Sequence, residues 1–317
     1  MKSIITTLIF LITIMISSCN QEKKVNENND ILASWTDSKI KKDIISFVQA
    51  VCEKSNKSYV EPADRIAVFD LDGTILCEKP KYTEVAFSIY HLKSLLSLDS
   101  SLGKKQPYKA LIENDEKYFH DSIEKVLITP FIGYSLKQYT DSVLSYFSSV
   151  KHPTLQVNYQ DLFYKPMLEL IEYLKNNDFT VYISSYSQQS FIRSLTSKYL
   201  DIDKEHSIGS IVDLQFDTVN NSAQFIREDS FLILNKMKAE VIEYQIGKAP
   251  IFVAGNSDGD LEMLNYTNLI NPHMVLIIDH DDSNREFEYR KDDLLKTAKE
   301  KEWKIVSMKR DFKYILE

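Results

Sequence analysis

Apolar residues alternate between two rhythms along this chain. Short runs rich in Val, Ile and Phe stop abruptly at polar or acidic residues: Arg65–Phe69, Phe179–Ser185, Pro250–Ala254, Met274–Ile278 and Trp303–Met308. Such runs read as buried strands. Between them, apolar residues recur at three- and four-residue spacing over Lys39–Val51, Pro166–Leu174, Gln188–Leu200, Lys238–Ile246 and Lys291–Lys301, the pattern of amphipathic helices. Ser187 stands where an N-cap would open the third of these, and Gly247 where the fourth would stop. Residues 201–234 hold short strands and turns. Alternating strands and helices predict an α/β fold, a Rossmann-like, mostly parallel sheet with helices on both faces. Ligands of such sheets bind beyond the carboxyl ends of the strands.

The rhythm is interrupted once. After Pro80 and as far as Val150 the pattern is helical throughout, with candidate helices Glu84–Leu96, Pro107–Leu127 and Leu136–Val150. This is a helical insertion placed after the first core strand.

The N-terminus has a different character. Met1-Lys2 precedes an uncharged apolar stretch, Ile4–Ile16, too short to span a bilayer comfortably, which ends in Ser17-Ser18-Cys19. This resembles the lipobox of bacterial lipoproteins, which implies cleavage before Cys19, acylation of its sulfur and retention at the cell envelope by a lipid anchor. The polar stretch that follows lacks the apolar surface to order. The expected organisation is a signal peptide over 1–18, a tether over 19–36, the start of the core over 37–76, the helical cap over 77–160 and the rest of the core over 161–317.

Composition narrows the function. The 317 residues are 44% hydrophobic and 26% charged, ordinary globular values, with a net charge of −8 and no dense basic cluster, which argues against a nucleic-acid partner. Of three cysteines, Cys52 and Cys77 lie in the core and cap, where a disulfide or two buried thiols are both compatible with the sequence.

Candidate chemistry concentrates where the first strand ends, at Asp70-Leu71-Asp72-Gly73-Thr74. Two carboxylates two residues apart repel unless a cation lies between them. A calcium loop would need Gly at its sixth and Glu at its twelfth position; Ile75 and Lys81 stand there. A Mg²⁺-assisted aspartyl nucleophile fits better. The other strands end in Ser184-Ser185 and in Gly255-Asn256-Ser257-Asp258-Gly259-Asp260, and a lysine, Lys238 or Lys236, opens a helix between them.

Asp-x-Asp-x-Thr, a strand-end Ser, a Lys and an acidic Gly-containing loop, in that order, resemble the haloacid dehalogenase superfamily of phosphatases. The stretches Cys77–Pro80, Tyr164–Leu170, Gly255–Asp260 and Arg285-Glu286 are similar to a bacterial subgroup related to phosphoserine and phosphorylcholine phosphatases. The resemblance spans Arg65 to the C-terminus. It implies a Mg²⁺-dependent phosphomonoester hydrolase acting on a small phosphorylated substrate, with a cap that closes over the site. Asp70 would be the nucleophile and Asp72 the acid/base. Lys238 would balance charge, and Thr74 and Ser185 would hold the loop and the phosphoryl group. Asp70, Asp72 (through its backbone carbonyl), Asn256 and Asp260 would be metal ligands, with Asp258 an alternative. Glu78, after the nucleophile loop, could meet a cationic part of the substrate or be a surface acid. A non-catalytic envelope lipoprotein that binds a phosphorylated ligand is the competing reading, and intact Asp70 and Asp72 weigh against it.

Overall fold

A computed structural model describes residues 31–219, 221–224, 232–233 and 238–316. The chain opens with α1 (Lys39–Cys52), capped by the Ser38 side chain accepting from the Lys41 N–H. Strand β1 (Ile66–Phe69) follows, then the inserted helices α2 (Thr83–Leu98), α3 (Tyr108–Glu113), α4 (Glu116–Asp121), α5 (Ile123–Ile128) and α6 (Leu136–Ser149). The α/β alternation resumes with α7 (Lys165–Lys175), β2 (Thr180–Gln188), α8 (Gln189–Leu195) and β3 (Ser207–Val212). A hairpin, β4 (Gln215–Asp217) and β5 (Ser222–Gln224), precedes β6 (Leu232–Ile233). The chain closes with α9 (Lys238–Ile246), β7 (Phe252–Gly255), α10 (Leu261–Thr267), β8 (Met274–Asp279), α11 (Asp292–Glu300), β9 (Lys304–Ser307) and α12 (Met308–Asp311).

The main sheet runs β6-β3-β2-β1-β7-β8-β9, all parallel except β6, which pairs antiparallel with β3 at the edge. This is the Rossmann-like architecture expected from the alternation. Ala67 and Phe69 enter one apolar cluster while Ile66 and Val68 enter a second. Successive strand residues face opposite sides, so each face of the sheet carries its own core. Register matters most for the site. Phe69 pairs with Ile183 on one side and Ala254 on the other, so the residues after all three emerge side by side.

Two local expectations are corrected. The single helix over Pro107–Leu127 is three short ones. Asn114 takes a left-handed conformation (φ 52°) that ends α3, the Asp115 side chain caps α4 by accepting from the Tyr118 N–H, and a further break falls at Ser122. Ser187 is not a helix cap. Strand β2 continues through Gln188 across a register shift between Ser184 and Gln188, and α8 then gives way to a π turn over Thr196–Leu200. Cys52 and Cys77 are free thiols rather than a disulfide.

The inserted helices share the main apolar cluster with the core. Phe87 of α2 and Phe147 of α6 each lie 5.9 Å from Phe191 of α8, and Phe147 stacks on Tyr199 at 6.0 Å. Among the described residues, no helix is long and apolar enough to cross a membrane. Cys19 and the apolar N-terminal run lie outside the described residues.

Candidate active site

Asp70 is the first residue past β1, and its N–H bonds the Ala254 carbonyl of β7, which fixes its backbone at the sheet edge. Its carboxylate is buried between two groups: Lys238 Nζ lies 2.5 Å from Oδ1, and the Thr74 hydroxyl donates to Oδ2 at 3.2 Å. Lys238 opens α9 and also donates to Asp260 Oδ1 at 2.7 Å and to the Ser184 carbonyl at 3.1 Å. Burial and the Asp260 carboxylate push the Asp70 pKa well up, against the pull of Lys238. Burial also opposes the Lys238 charge, but Asp260 and Asp70 outweigh it and hold the ammonium pKa above its ordinary value. One cation thus serves two buried carboxylates. Lys236 lies outside the described residues.

Asp72 has different partners. Thr83, the first residue of α2, donates to its Oδ1 at 3.0 Å, and Ser187 donates to Oδ2 at 3.3 Å. Burial, reinforced by nearby Glu78, raises Asp72 to about 6, with the Thr83 and Ser187 hydroxyls pulling it down. Ser185 stands beside it, its Oγ accepting from the Ser187 N–H at 3.1 Å. Thr83 and Ser187 are functional candidates that sequence reasoning missed. Ser187 was hidden by its reading as a cap, and Thr83 by its distance from any strand end.

A further buried acid, Glu84, comes from the same turn of α2. Its Oε2 accepts from the Gln188 N–H at 3.0 Å, and burial lifts its pKa to about 8, with the nearby Asp72 charge adding to the rise. On a helix facing a core, such an acid reads in sequence as part of a solvated face. Nothing in the sequence pattern marks it as buried.

The loop after β7 divides its polar residues between two tasks. Asp260 is not turned toward Asp70 as a free ligand. Its Oδ2 accepts from the Asn256 N–H (3.0 Å), the Ser257 N–H (2.9 Å) and the Ser257 hydroxyl (3.2 Å), while Oδ1 takes Lys238. It therefore shapes the loop and shares Lys238 with Asp70. The loop folds so tightly that a Cβ on Gly255 would come within 2.7 Å of the Asp260 side chain. Asp258 is exposed. Asn256 is buried, and one terminal atom of its amide lies 3.3 Å from Asp70 Oδ2 and 3.2 Å from the Asp72 carbonyl oxygen. The other terminal atom is 3.3 Å from Glu78 Oε1.

That placement tests the site for a cation. No three His, Cys, Asp or Glu side chains among the described residues converge as ligands. What converges is a mixed oxygen set: Asp70 Oδ2, the Asp72 carbonyl and, with its oxygen turned inward, the Asn256 amide. Oxygen-only sets with few carboxylates suit Mg²⁺. The residues present fit the ion.

Behind the nucleophile loop lies a buried clamp. His280 follows β8, and its Nε2 lies 2.7 Å from the Gly73 carbonyl while Nδ1 faces Glu286 Oε2 at 3.2 Å. Glu286 also accepts from the Tyr164 hydroxyl at 2.8 Å and the Cys77 thiol at 3.1 Å. Although burial works to raise the Glu286 pKa, the hydrogen bonds from His280, Tyr164 and Cys77 hold it below its ordinary value. Three of the stretches that the sequence singled out, around Cys77, Tyr164 and Glu286, therefore meet at one carboxylate.

These groups line a cleft of about 330 Å³. Asp70, Asp72, Ser185, Ser187 and Lys238 form its base; Tyr82, Val85, Ile123 and Leu127 of the insert form its apolar wall. Glu78 and Glu84 also line it, and Glu78 is 4% exposed rather than a surface acid.

No family model matches the chain, and no curated protein matches it in sequence. Solved structures do. A conserved protein of unknown function from Anaerococcus prevotii DSM 20548 is 19% identical, covering 84% of this chain and 91% of that one, with a TM-score of 0.52. A phosphoserine phosphohydrolase-like protein from Francisella tularensis is 14% identical over 78% of this chain and 95% of its own, with a TM-score of 0.41. Cytosolic 5'-nucleotidase IIIB bound to cytidine is 11% identical over 88% and 90%, with a TM-score of 0.44. At these identities the likeness is one of fold.

Proposed function

We propose that the protein is a phosphatase of the haloacid dehalogenase type, hydrolysing a small organic phosphomonoester. The observation that carries this reading is the unequal environment of two carboxylates two residues apart. Asp70 is held by Lys238 and Thr74 beside an oxygen cluster, and Asp72 by two hydroxyls at the cleft. Paired acids with divergent environments take different roles.

Asp70 attacks phosphorus, and the bond to the leaving oxygen breaks as Asp72 delivers its proton there. Asp72, now a carboxylate, removes a proton from water, whose oxygen attacks the aspartyl-phosphate. The bond between phosphorus and the Asp70 oxygen then breaks, releasing inorganic phosphate. Lys238 neutralises charge at Asp70, and Ser185 holds a phosphoryl oxygen. Asp70, the Asp72 carbonyl and Asn256 would hold Mg²⁺, which when bound offsets the charge of the phosphoryl oxygens. Glu78 beside an apolar wall disfavours a second anionic group on the substrate and suits a leaving group bearing hydroxyl or ammonium donors. The sequence further supports lipid anchoring through Cys19 at the cell envelope; Cys19→Ser should then release the chain from the membrane fraction.

The test is turnover of a chromogenic phosphate ester and a panel of small phosphates, with and without Mg²⁺, by the wild type and Asp70→Asn. Mg²⁺-dependent turnover lost in Asp70→Asn is expected. Turnover unchanged in that variant would overturn the nucleophile, and binding of phosphates without turnover would favour a non-catalytic lipoprotein.

A further inference from the structure

The Asn256 amide sits between acceptors on both sides. With nitrogen inward it donates to Asp70 Oδ2 and the Asp72 carbonyl, but its oxygen then faces the Glu78 carboxylate. With oxygen inward it donates to Glu78 Oε1 at 3.3 Å and accepts from the Thr74 hydroxyl at 3.4 Å, but its oxygen also faces two other oxygens, at 3.3 and 3.2 Å. A cation among the inward oxygens offsets their mutual repulsion and favours the oxygen-inward orientation. A carboxylate here would have had no such choice, because its two oxygens are equivalent.

Glu78 is built to decide the orientation. It is 4% exposed, and Lys79 Nζ lies 3.7 Å from the same Oε1. Lys79 in turn lies 4.4 Å over the ring of Tyr289, which stacks on His280 of the buried clamp. Gly73 makes room for the pair. A Cβ there would meet Asn256 Nδ2 at 2.0 Å and Glu78 Cδ at 3.0 Å. We propose that Glu78 is a positioning residue that turns the Asn256 amide oxygen toward a divalent cation at Asp70, by accepting the amide's N–H and repelling its oxygen. This rests on the reading of Asp70 as part of a cation site.

Outer partners that orient a metal ligand typically change affinity by about 10–100-fold when removed. The test titrates Mn²⁺ into the full chain without substrate, following free Mn²⁺ by electron paramagnetic resonance, with circular dichroism to verify folding. Glu78→Ala should weaken Mn²⁺ binding about tenfold or more. Glu78→Gln, whose carbonyl oxygen accepts the same hydrogen bond, should stay within about twofold of wild type. In an Asn256→Asp background there is no amide to orient, and adding Glu78→Ala should change affinity by no more than about twofold. Equal losses in both backgrounds, or Glu78→Gln as weak as Glu78→Ala, would show that Glu78 acts through charge alone and overturn the proposal. A wild type that binds no Mn²⁺ would instead overturn the cation site itself.

Discussion

Thr83 donates its hydroxyl proton to Asp72 Oδ1 at 3.0 Å, so the first residue of the first inserted helix is hydrogen-bonded to the candidate acid/base. The insert thus reaches the reacting groups directly. Hydrogen bonds to charged groups contribute about 1.5–3 kcal/mol, roughly 10- to 100-fold in rate. Thr83→Val should lower kcat by that order with little change in KM, and Thr83→Ser should restore it. Steady-state kinetics of the two variants check this.

Ser185 and Ser187 should separate in kinetics. Ser185 stands at the base of the cleft and is assigned to a phosphoryl oxygen; Ser187 donates to Asp72. Ser185→Ala should raise the inhibition constant of inorganic phosphate, whereas Ser187→Ala should lower kcat and leave that constant nearly unchanged. The reverse pattern would exchange their roles.

Lys238 is the shared counter-charge of Asp70 and Asp260. Removing one partner of a buried ion pair costs about 3–5 kcal/mol, because the charge left behind is uncompensated. Lys238→Met should lose stability on that scale in urea unfolding, and Asp260→Asn in the same chain should recover part of it.

Glu84 links stability to pH. Its folded pKa, about 8, lies above the ordinary glutamate value of 4.5, so the folded state binds the extra proton between those values. Its contribution to stability is therefore fully present below pH 4.5 and is lost as pH rises towards 8, at up to ~1.4 kcal/mol per unit. Glu84→Gln keeps an acceptor for the Gln188 N–H but does not titrate. Its stability relative to wild type should rise steadily from pH 5 to 8 in denaturant titrations, and a constant difference would refute the assignment.

Much of this arrangement was legible in the sequence, because strand ends in a parallel sheet must meet at one edge. The apolar runs before Asp70, Ser185 and Gly255 announced three neighbouring strands, and Lys238 followed from its place at a helix start. The rest depends on contacts that periodicity does not encode. Ser187 reaches Asp72 only because β2 continues past a register shift, and Asp260 turns to its own loop because Gly255 lets it come close. Glu84 shows no sequence sign of the burial that shifts its pKa. The break at Asn114 was missed because the apolar spacing persists across it.

Phe191 touches Phe87 on one inserted helix and Phe147 on another. The segment threaded between β1 and α7 is therefore an inner wall as much as a roof. Deleting it would bare an aromatic floor to water, and grafting it elsewhere would carry away half of an interface. Change in substrate preference in this architecture is accordingly easier by replacing single side chains at Tyr82, Val85 and Ile123 than by exchanging the whole segment.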